Sequence, residues 1–454
     1  MKIIVVGCGK VGREIAMELA NEGNEVTVID KNHFKVEEIS NKCDVMGVVG
    51  NGVSYQTQAE VGIQSADLMI AMTGSDEINL LCCLIAKRAG DCKTIARVRN
   101  PEYSNEVTYV KDALGLSLAI NPEYAAAKEI SEILRFPSAI QIDTFARGRV
   151  ELLKFRVGEG VSLAGMKVSE VVPKLKVDVL ICAVERGSDE LYIPGGDFQI
   201  QENDLVSIIV RPQKAGEFFK KIGIETHQVK DVMIVGGGDT AYYLARLLRD
   251  MNISIKLIER DEDRCDYLSD ELPHAQIIHG DGSDQIVLME EGLKSCEGFV
   301  ALTGIDEENV ILSLYAKQQS NAKICTRLRR ANFDGLIRNL DLDTIVYTRK
   351  ITAEYIVQFV RAMKNSIGCN MERMYKIMDE RAEAVEFTVE RGSHLIGIPL
   401  MNLTIHENTL VACIIRGKKI LIPRGQDTLE EKDSVVIVTM QKGIRDISEI
   451  IDVQ

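Results

Sequence analysis

The sequence lacks any run of 18 or more apolar residues, so we expect no segment of it to span a bilayer. It also lacks an excess of positive charge. The formal net charge is −14, and without a basic field to collect phosphates neither nucleic acid nor an anionic membrane surface is expected as a main partner. The apolar run after Lys2 ends at a glycine turn, which predicts a first strand rather than a signal peptide.

Metal and redox signatures are scarce as well. The 11 cysteines are odd in number, form no CxxC pair and often fall inside apolar runs, as Cys182 and Cys413 do. This is typical of buried thiols in a reducing compartment. The six histidines show no metal-ligand spacing. With 46% apolar and 27% charged residues, the 454-residue chain is predicted to be globular, with three or four domains.

One unit occurs twice in the chain. The glycine segment 7–12 follows an apolar run and Asp30 ends the next run; segment 236–241 and Glu259 repeat this arrangement 229 residues later. Later blocks keep this register to within one residue: 71–79 with 301–309, 96–99 with 326–329, and 192–194 with 421–423. A register held over so much of the chain indicates duplication and fusion of one ancestral unit.

Strand and helix patterns alternate along the first repeat. Apolar runs predict six strands, at 2–6, 25–29, 44–49, 67–72, 94–98 and 116–120. Helices connect them, and such alternation predicts right-handed crossovers and a doubly wound parallel sheet. A long helix at 121–136 comes next. The pattern then predicts a small α+β domain with strands at 150–157, 179–186, 191–194 and 204–210 and helices at 162–171 and 213–222.

We therefore predict an α/β fold of two tandem Rossmann-like doubly wound parallel sheets, each followed by a small α+β domain. The second copy is expected to repeat the order of the first. The predicted boundaries are 1–120 for the first sheet domain, 121–137 for its crossover helix, 138–225 for the first small domain, 230–350 for the second sheet domain, 351–366 for its crossover helix and 371–454 for the second small domain.

The first glycine segment has the parts that a dinucleotide needs. Gly7 permits a tight turn, Gly9 lets the backbone approach a pyrophosphate, and Gly12 lets the helix pack against the strand. The helix N-terminus then offers free N–H groups and a positive dipole end to the phosphates. Asp30 can bind both ribose hydroxyls and would repel a 2′-phosphate, which favours NAD(H) or ATP/ADP over NADP(H). A glycine turn without a ligand is the alternative.

The second glycine segment departs from this pattern. Ala241 replaces the third glycine, which the motif permits. Asp239 adds a carboxylate to the turn, and that charge is unfavourable beside a pyrophosphate unless the side chain points outward. The second repeat is therefore either a second nucleotide site or a related turn that has lost its ligand.

Polar residues after the fourth and fifth strands are further candidates. Thr73, Asp76 and Asn79 recur as the same three types in the second repeat; they either cap and pack the following helix, with Asp76 as the N-cap candidate, or contact a nucleotide. Arg97 either reaches phosphates or faces solvent. No catalytic or metal-ligating residue is assigned. The candidate cofactor-binding residues are Gly7, Cys8, Gly9, Lys10, Val11, Gly12, Asp30, Asn51, Thr73, Arg97, Gly236, Gly237, Gly238, Asp239, Thr240, Glu259 and Thr303.

This plan resembles the TrkA family, the peripheral regulatory subunits of Trk-type bacterial potassium uptake systems, whose members carry two fused RCK (regulator of potassium conductance) units in one chain. The resemblance covers the chain from end to end and rests on segments 7–12, 50–52, 71–79 and 95–99, on Asp30, and on their counterparts in the second half. It implies that NAD(H), and also ATP or ADP, bind in the same clefts. The binding role transfers to Gly7, Gly9, Gly12 and Asp30.

The resemblance also implies an assembly and a location. RCK units pair through their crossover helices and form a homo-oligomeric gating ring beneath a membrane pore, and nucleotide binding changes the angle between units. The expected function is that of a non-enzymatic, nucleotide-sensing regulatory subunit. It would lie on the cytoplasmic face of the membrane and gate a Trk-type potassium channel or transporter.

Two other functions are weighed against this one. An NAD-dependent oxidoreductase would need a proton-relay histidine or lysine beside the nicotinamide. The second small domain offers His394 and His406, whereas the first has no histidine. A scaffold with vestigial nucleotide sites would tolerate loss of the first glycine loop, which is instead intact. Both alternatives therefore fit the residues less well than a sensor does.

Overall fold

The computed structural model describes residues 1–105, 107–146, 149–187, 190–224, 228–329, 337, 340, 342–365, 371–377, 381–444 and 446–451. Contacts divide the chain into two compact units, each drawn from both repeats: Met1–Ser131 with Val229–Val357, and Glu132–Gln228 with Gln358–Gln454. The two sheet domains thus belong to the first unit and the two small domains to the second.

The first sheet has six parallel strands: β1 (Lys2–Val6), β2 (Glu25–Asp30), β3 (Met46–Val49), β4 (Leu68–Ala71), β5 (Lys93–Arg97) and β6 (Leu118–Ile120). The helices of this segment are α1 (Lys10–Asn21), α2 (His33–Ser40), α3 (Tyr55–Glu60), α4 (Asp76–Ala89), α5 (Pro101–Asn105), α6 (Val107–Leu114) and α7 (Pro122–Arg135). The strand order β3-β2-β1-β4-β5-β6 reverses between β1 and β4. Ligands of such sheets bind beyond the carboxyl ends of the strands at this reversal.

Continuous apolar strands explain why this sheet lies inside its domain. Four successive residues of β1 and all four of β4 are buried, as expected for parallel strands covered by helices on both faces. The helices contribute one apolar face each, and Ile15 and Leu19 of α1 are fully buried. Cys82 and Cys83 of α4 are buried in the same core.

The first small domain is an antiparallel sheet of β7 (Gln141–Phe145), β8 (Val150–Arg156), β9 (Val179–Arg186), β10 (Glu190–Tyr192) and β11 (Leu205–Val210), with helices α8 (Val168–Leu175) and α9 (Pro212–Ile222). Its strand order is β10-β9-β11-β8-β7. Strand β7 was not predicted. The helix predicted at 162–171 is wrong in its bounds, because Gly165 has a φ of +82°, a conformation that a right-handed helix excludes.

The second sheet repeats the first with β12 (Asp231–Val235), β13 (Ser254–Glu259), β14 (Ala275–His279), β15 (Gly298–Ala301), β16 (Lys323–Leu328) and β17 (Thr344–Tyr347). Its helices are α10 (Asp239–Asp250), α11 (Glu262–Glu271), α12 (Gln285–Glu290), α13 (Asp306–Gln319) and α14 (Thr348–Asn365). The order β14-β13-β12-β15-β16-β17 matches that of the first sheet strand for strand. The predicted tandem α/β fold is confirmed.

The second small domain has strands β18 (Met371–Ile377), β19 (Ala382–Thr388), β20 (Thr409–Arg416), β21 (Lys419–Leu421) and β22 (Ser434–Thr439) in the order β18-β19-β22-β20-β21. This is the sheet topology of the first small domain. At the positions of α8 and α9, the described residues of the second small domain have short 3₁₀ turns instead, at Leu400–Asn402 and Ile447–Ile450.

The two small sheets of the second unit share one core. Phe145 and Cys182 from the first and Cys413 and Val436 from the second are fully buried members of a single apolar cluster. An ionic link joins the same two domains. Glu185, only 4% exposed, accepts hydrogen bonds from Lys154 of its own domain at 2.7 Å and from Arg381 of the other domain at 3.0 Å.

Replacing Arg381 by alanine should loosen this link between the small domains. Glu185 would keep Lys154 but lose one charge-assisted hydrogen bond, and such bonds contribute roughly 1.5–3 kcal/mol. We expect a lower thermal midpoint for the second unit in calorimetry. Arg424→Ala, at an exposed arginine, is the matched control. An Arg381→Ala chain as stable as this control would show that the ion pair adds nothing to the packing.

Neither a membrane span nor a metal cluster is found in the described part of the chain. No described helix is both long and apolar enough to cross a membrane. Within the same residues, no group of three or more histidine, cysteine, aspartate or glutamate side chains is placed to hold a metal ion.

Candidate functional site

The first glycine loop lies between β1 and α1 and needs its first glycine for steric reasons. Gly7 has a φ of +99°, and a Cβ there would lie 2.9 Å from the carbonyl carbon of Met72. Gly9 is the N-cap of α1 with ordinary extended angles, and a Cβ there would meet no atom within 4 Å. Gly7 is therefore required by the backbone, whereas Gly9 opens onto free space in front of the helix N-terminus.

Asp30, at the end of β2, holds the loop in place. One carboxylate oxygen accepts the N–H of Cys8 at 2.7 Å and the other accepts the N–H of Asn32 at 2.9 Å. Each oxygen keeps a second lone pair for a further donor such as a ribose hydroxyl. Burial, reinforced by the Asp30 charge, raises the pKa of the Cys8 thiol to about 12, so Cys8 is an uncharged part of the loop.

The third position of the motif differs between the repeats. A Cβ on Gly12 would lie 1.9 Å from the carbonyl oxygen of Gly7, so the first turn lies directly against its helix. The second repeat has Ala241 here, fully buried, and its turn must leave room for the methyl group. The two residues before this position also differ between the repeats. Lys10 and Val11 of the first repeat are exposed and partly exposed, and their places in the second repeat are taken by Asp239 and Thr240.

The second loop repeats the geometry of the first around another acid. Gly236 has a φ of +103°, and a Cβ on Gly238 would again meet no atom within 4 Å. Glu259, at the end of β13, accepts the N–H of Gly237 at 2.5 Å with one oxygen and the N–H groups of Arg260 and Asp261 with the other. Asp30 and Glu259 thus accept equivalent backbone N–H groups of the two glycine loops.

Asp239 is neutralised by a neighbouring side chain. Arg264 of α11 contacts its carboxylate at 3.1 Å and donates through Nε to the carbonyl oxygen of Gly237 at 2.7 Å. The extra carboxylate in the second turn is therefore held in an ion pair. Sequence reasoning missed Arg264, because its closeness to Asp239 depends on how α11 packs beside the loop.

The residues after β4 form a hydrogen-bond network that links the ends of β4 and β5 beside the glycine loop. Asn79, fully buried, accepts from the N–H and hydroxyl of Thr73 and donates to the carbonyl oxygen of Arg97 at 3.0 Å. The Arg97 guanidinium donates to the carbonyl oxygen of Thr73. Asp76 is not the N-cap of α4: Ser75 caps the helix, and Asp76 accepts the N–H groups of the segment after β5.

The second repeat keeps most of these hydrogen bonds. Asn309 accepts the N–H of Thr303 at 2.8 Å and donates to the carbonyl oxygen of Arg327 at 2.9 Å. Arg327 is buried, and that burial lowers its pKa, although the side chain remains a cation.

The remaining candidate of the first repeat, Asn51, is exposed in the turn after β3, and its side chain accepts the N–H of Val53.

A cavity of about 400 Å³ lies over the second loop. Its walls include the loop residues Gly236, Gly237, Gly238, Asp239 and Thr240, the acid Glu259, and Thr303 and Arg327 from the neighbouring strand ends. The structure thus brings all the candidate residues of the second repeat to one cleft. The hydroxyl of Thr240 is buried there without a hydrogen-bond partner, which leaves a donor for a ligand.

The first repeat contributes two residues to this second cleft. Arg99 and Glu123 both line it. One Glu123 oxygen is buried without a hydrogen-bond partner, and burial raises the pKa of this carboxyl against the opposing effect of Arg99. Tyr243 adds a hydrogen bond to the Arg99 carbonyl oxygen at 2.8 Å. Sequence reasoning placed Arg99 in a repeated block but did not select it, and no sequence signal pointed to Glu123.

Comparison with known families places the whole chain. The TrkA-N domain model matches residues 3–122 and 232–348, and the TrkA-C domain model matches residues 152–223 and 384–452. The Trk system potassium uptake protein TrkA homolog 1 of Methanosarcina mazei is 32% identical over 457 residues, covering 99% of each chain. The Trk system potassium uptake protein TrkA of Vibrio alginolyticus is 28% identical, covering 97% of this chain and 96% of that protein.

Solved structures support the fold. A GsuK channel bound to NAD superimposes with a TM-score of 0.65 at 16% identity, covering 96% of this chain and 76% of that one. The crystal structure of the GsuK RCK domain gives 0.64 at 17% identity, covering 96% of this chain and 92% of that one. At this identity the likeness supports the paired α/β architecture of the molecule.

Proposed function

The chain belongs to the TrkA family, and from that premise we propose that it is a nucleotide-sensing regulatory subunit that gates a Trk-type membrane potassium transporter. The observation that carries the proposal is the duplicated cleft: in each repeat a glycine loop, an open helix N-terminus and an acid at the second strand end come together. The full-length relatives are named as Trk system potassium uptake proteins. We place the protein on the cytoplasmic face of the membrane, held there by its transporter.

The proposed ligands are NAD(H) and, in the same clefts, ATP or ADP. The open space at Gly9 and Gly238 suits phosphate groups, which helix N-termini attract through free N–H groups and the helix dipole. Asp30 and Glu259 stand where an adenosine ribose would lie. Similar solved structures include a GsuK channel bound to NAD and one bound to ADP, which supports both nucleotide classes.

The connecting helices provide a route for the signal. The boundary between the two units falls after Ser131, inside α7, and after Val357, inside α14. A ligand that prefers one arrangement of the sheet domains would act on the small domains through these helices, and only a difference in affinity between two arrangements can drive such a change. In a homo-oligomeric ring, several copies would act on the pore together.

An oxidoreductase finds less support in the cleft. A hydride-transfer site needs an acid–base group beside the nicotinamide, usually histidine or lysine. The residues that line the second cleft include neither. A sensor requires only that the ligand bind and favour one arrangement.

Asp30→Ala should weaken NADH binding at the first cleft. The carboxylate would supply charge-assisted hydrogen bonds to the ribose, which contribute roughly 1.5–3 kcal/mol, so we expect a loss of about tenfold or more. Because Asp30 also accepts the Cys8 N–H, Asp30→Asn is the informative partner: its amide oxygen can still hold the loop. If Asp30→Asn binds NADH as wild type does, Asp30 braces the loop and does not contact the ribose.

Calorimetric titration of the purified chain with NADH, NAD⁺, ATP and ADP tests the proposed ligands directly. We expect saturable binding of both nucleotide classes, with NADH and ATP competing for shared sites. A folded chain that binds none of the four would refute nucleotide sensing.

A further inference from the structure

The two clefts differ in charge at equivalent positions. Lys10, the first residue of α1, is matched by Asp239, the first residue of α10, a change of two charges. Asn51 is matched by Asp281 and Ile78 by Glu308, one charge each. All three acids line the second cleft. At these three positions together, the second repeat is therefore four charges more negative than the first.

The other charged positions do not offset this difference. The arginines at the end of the fifth strand are present in both repeats, as Arg97 with Arg99 and as Arg327 with Arg329. The acids after the second strand also carry the same charge in both. Arg264 cannot serve a ligand freely, because it is engaged with Asp239 and the Gly237 carbonyl. The first repeat, by contrast, offers Lys10 without an ion-pair partner among the described residues.

The second cleft is still built to hold a ligand. It has the free helix N-terminus at Gly238, and the unpartnered Thr240 hydroxyl, 1% exposed, points to a bound hydrogen-bonding group; its counterpart Val11 has none. The first repeat adds one acid, Glu123, and one base, Arg99, to this cleft, so its contribution does not alter the difference in charge. The features that attract phosphate remain, but the surrounding charge opposes a highly anionic ligand.

We propose that the two clefts select ligands by charge: the first favours a nucleoside triphosphate, and the second favours a dinucleotide, whose pyrophosphate carries roughly half the negative charge of a triphosphate. The Asp239–Arg264 ion pair is the main device in the second cleft. It lets a pyrophosphate approach the loop but leaves no free cation at the helix-start position that Lys10 occupies in the first repeat. This inference rests on the proposed function and deepens it, because it lets one chain report two ligand classes at once.

Each cleft can be measured alone with a valine at its open glycine. In Gly9→Val only the second cleft should bind nucleotide, and in Gly238→Val only the first. Both glycines have extended backbone angles that valine adopts readily. Calorimetry without divalent cations gives the ratio of the Kd for ATP to the Kd for NADH in each chain. We expect this ratio to be about tenfold or more higher in Gly9→Val, which corresponds to ~1.4 kcal/mol. Equal or reversed ratios would overturn the proposal.

A charge exchange between the repeats then tests the cause. In the Gly9→Val chain, Asp239→Lys should strengthen ATP binding about tenfold and NADH binding less, since the lysine frees Arg264 and adds a cation. In the Gly238→Val chain, Lys10→Asp should weaken ATP more than NADH. If both ligands change equally in both exchanges, the difference does not arise from these charges and the proposal fails.

Failure of the inference is distinguishable from failure of the proposed function. If the Gly9→Val chain binds neither ligand while Gly238→Val binds, the second cleft takes no nucleotide; the inference is overturned and the sensor role stands through the first cleft. A wild-type chain that binds neither NADH nor ATP overturns both.

Discussion

Gly9→Val should abolish nucleotide binding by the first cleft while the chain still folds. Gly9 has a φ of −67° and a ψ of 179°, which are ordinary angles of extended backbone. No atom lies within 4 Å of a Cβ built there. That open space lies in front of the α1 N-terminus, where phosphates would sit, so a branched side chain would fill the ligand's place. We expect a loss of about 100-fold or more, equivalent to ~2.7 kcal/mol.

The measurement is calorimetric titration with NADH and ATP, with circular dichroism to establish folding. Gly238→Val is the matched variant and should remove binding from the second cleft alone. The double variant should bind neither ligand. Wild-type affinity and stoichiometry in a folded Gly9→Val chain would show that the nucleotide does not occupy the loop.

Gly7→Ala should have the opposite character: a large loss of stability rather than a selective loss of binding. Gly7 has a φ of +99°, which side-chain-bearing residues rarely adopt, and its Cβ would lie 2.9 Å from backbone atoms of Met72, which cannot move as a side chain can. Backbone strain of this kind costs of the order of 1–3 kcal/mol, and the contact adds to it.

Denaturant unfolding of the chain, followed through the first unit, checks this prediction. We expect Gly7→Ala to lower the free energy of unfolding by about 2–4 kcal/mol. Gly9→Ala, two residues away in open space, is the control and should leave stability near wild type. A Gly7→Ala chain with wild-type stability would mean that this turn can adopt another conformation, and the steric account of the loop would be wrong.

The sequence was sufficient for the fold because its signals are local. Continuous apolar strands, the helices between them and the 229-residue register predict two doubly wound sheets, and the strand orders confirm them. The glycine loops were also predictable, since a strand end and the next helix start are adjacent in the chain. Their acids lie close to them because β2 pairs in parallel with β1, and β13 with β12. Ser75 shows the limit of local patterns: serine and aspartate are both good N-caps, and only the structure shows that Asp76 instead holds the segment after β5.

Contacts distant in sequence could not be predicted in this way. Arg99 and Glu123 reach the second cleft because the two sheet domains share one compact unit, a pairing that no periodicity encodes. Arg264 reaches Asp239 from a different helix. Strand β7 was missed because its antiparallel pairing with β8, from Gln141 with Lys154 to Phe145 with Val150, is a contact that the short pattern of 141–145 does not specify by itself.

The central claim is that nucleotide occupancy of the clefts controls potassium uptake. The most direct test is the initial rate of potassium uptake in cells that lack this chain, complemented either with wild type or with the folded Gly9→Val, Gly238→Val double variant at equal expression. The account predicts that deletion lowers uptake or removes its regulation, that wild type restores both, and that the double variant fails to restore regulation. Uptake that is the same in deleted, wild-type and double-variant cells would contradict it.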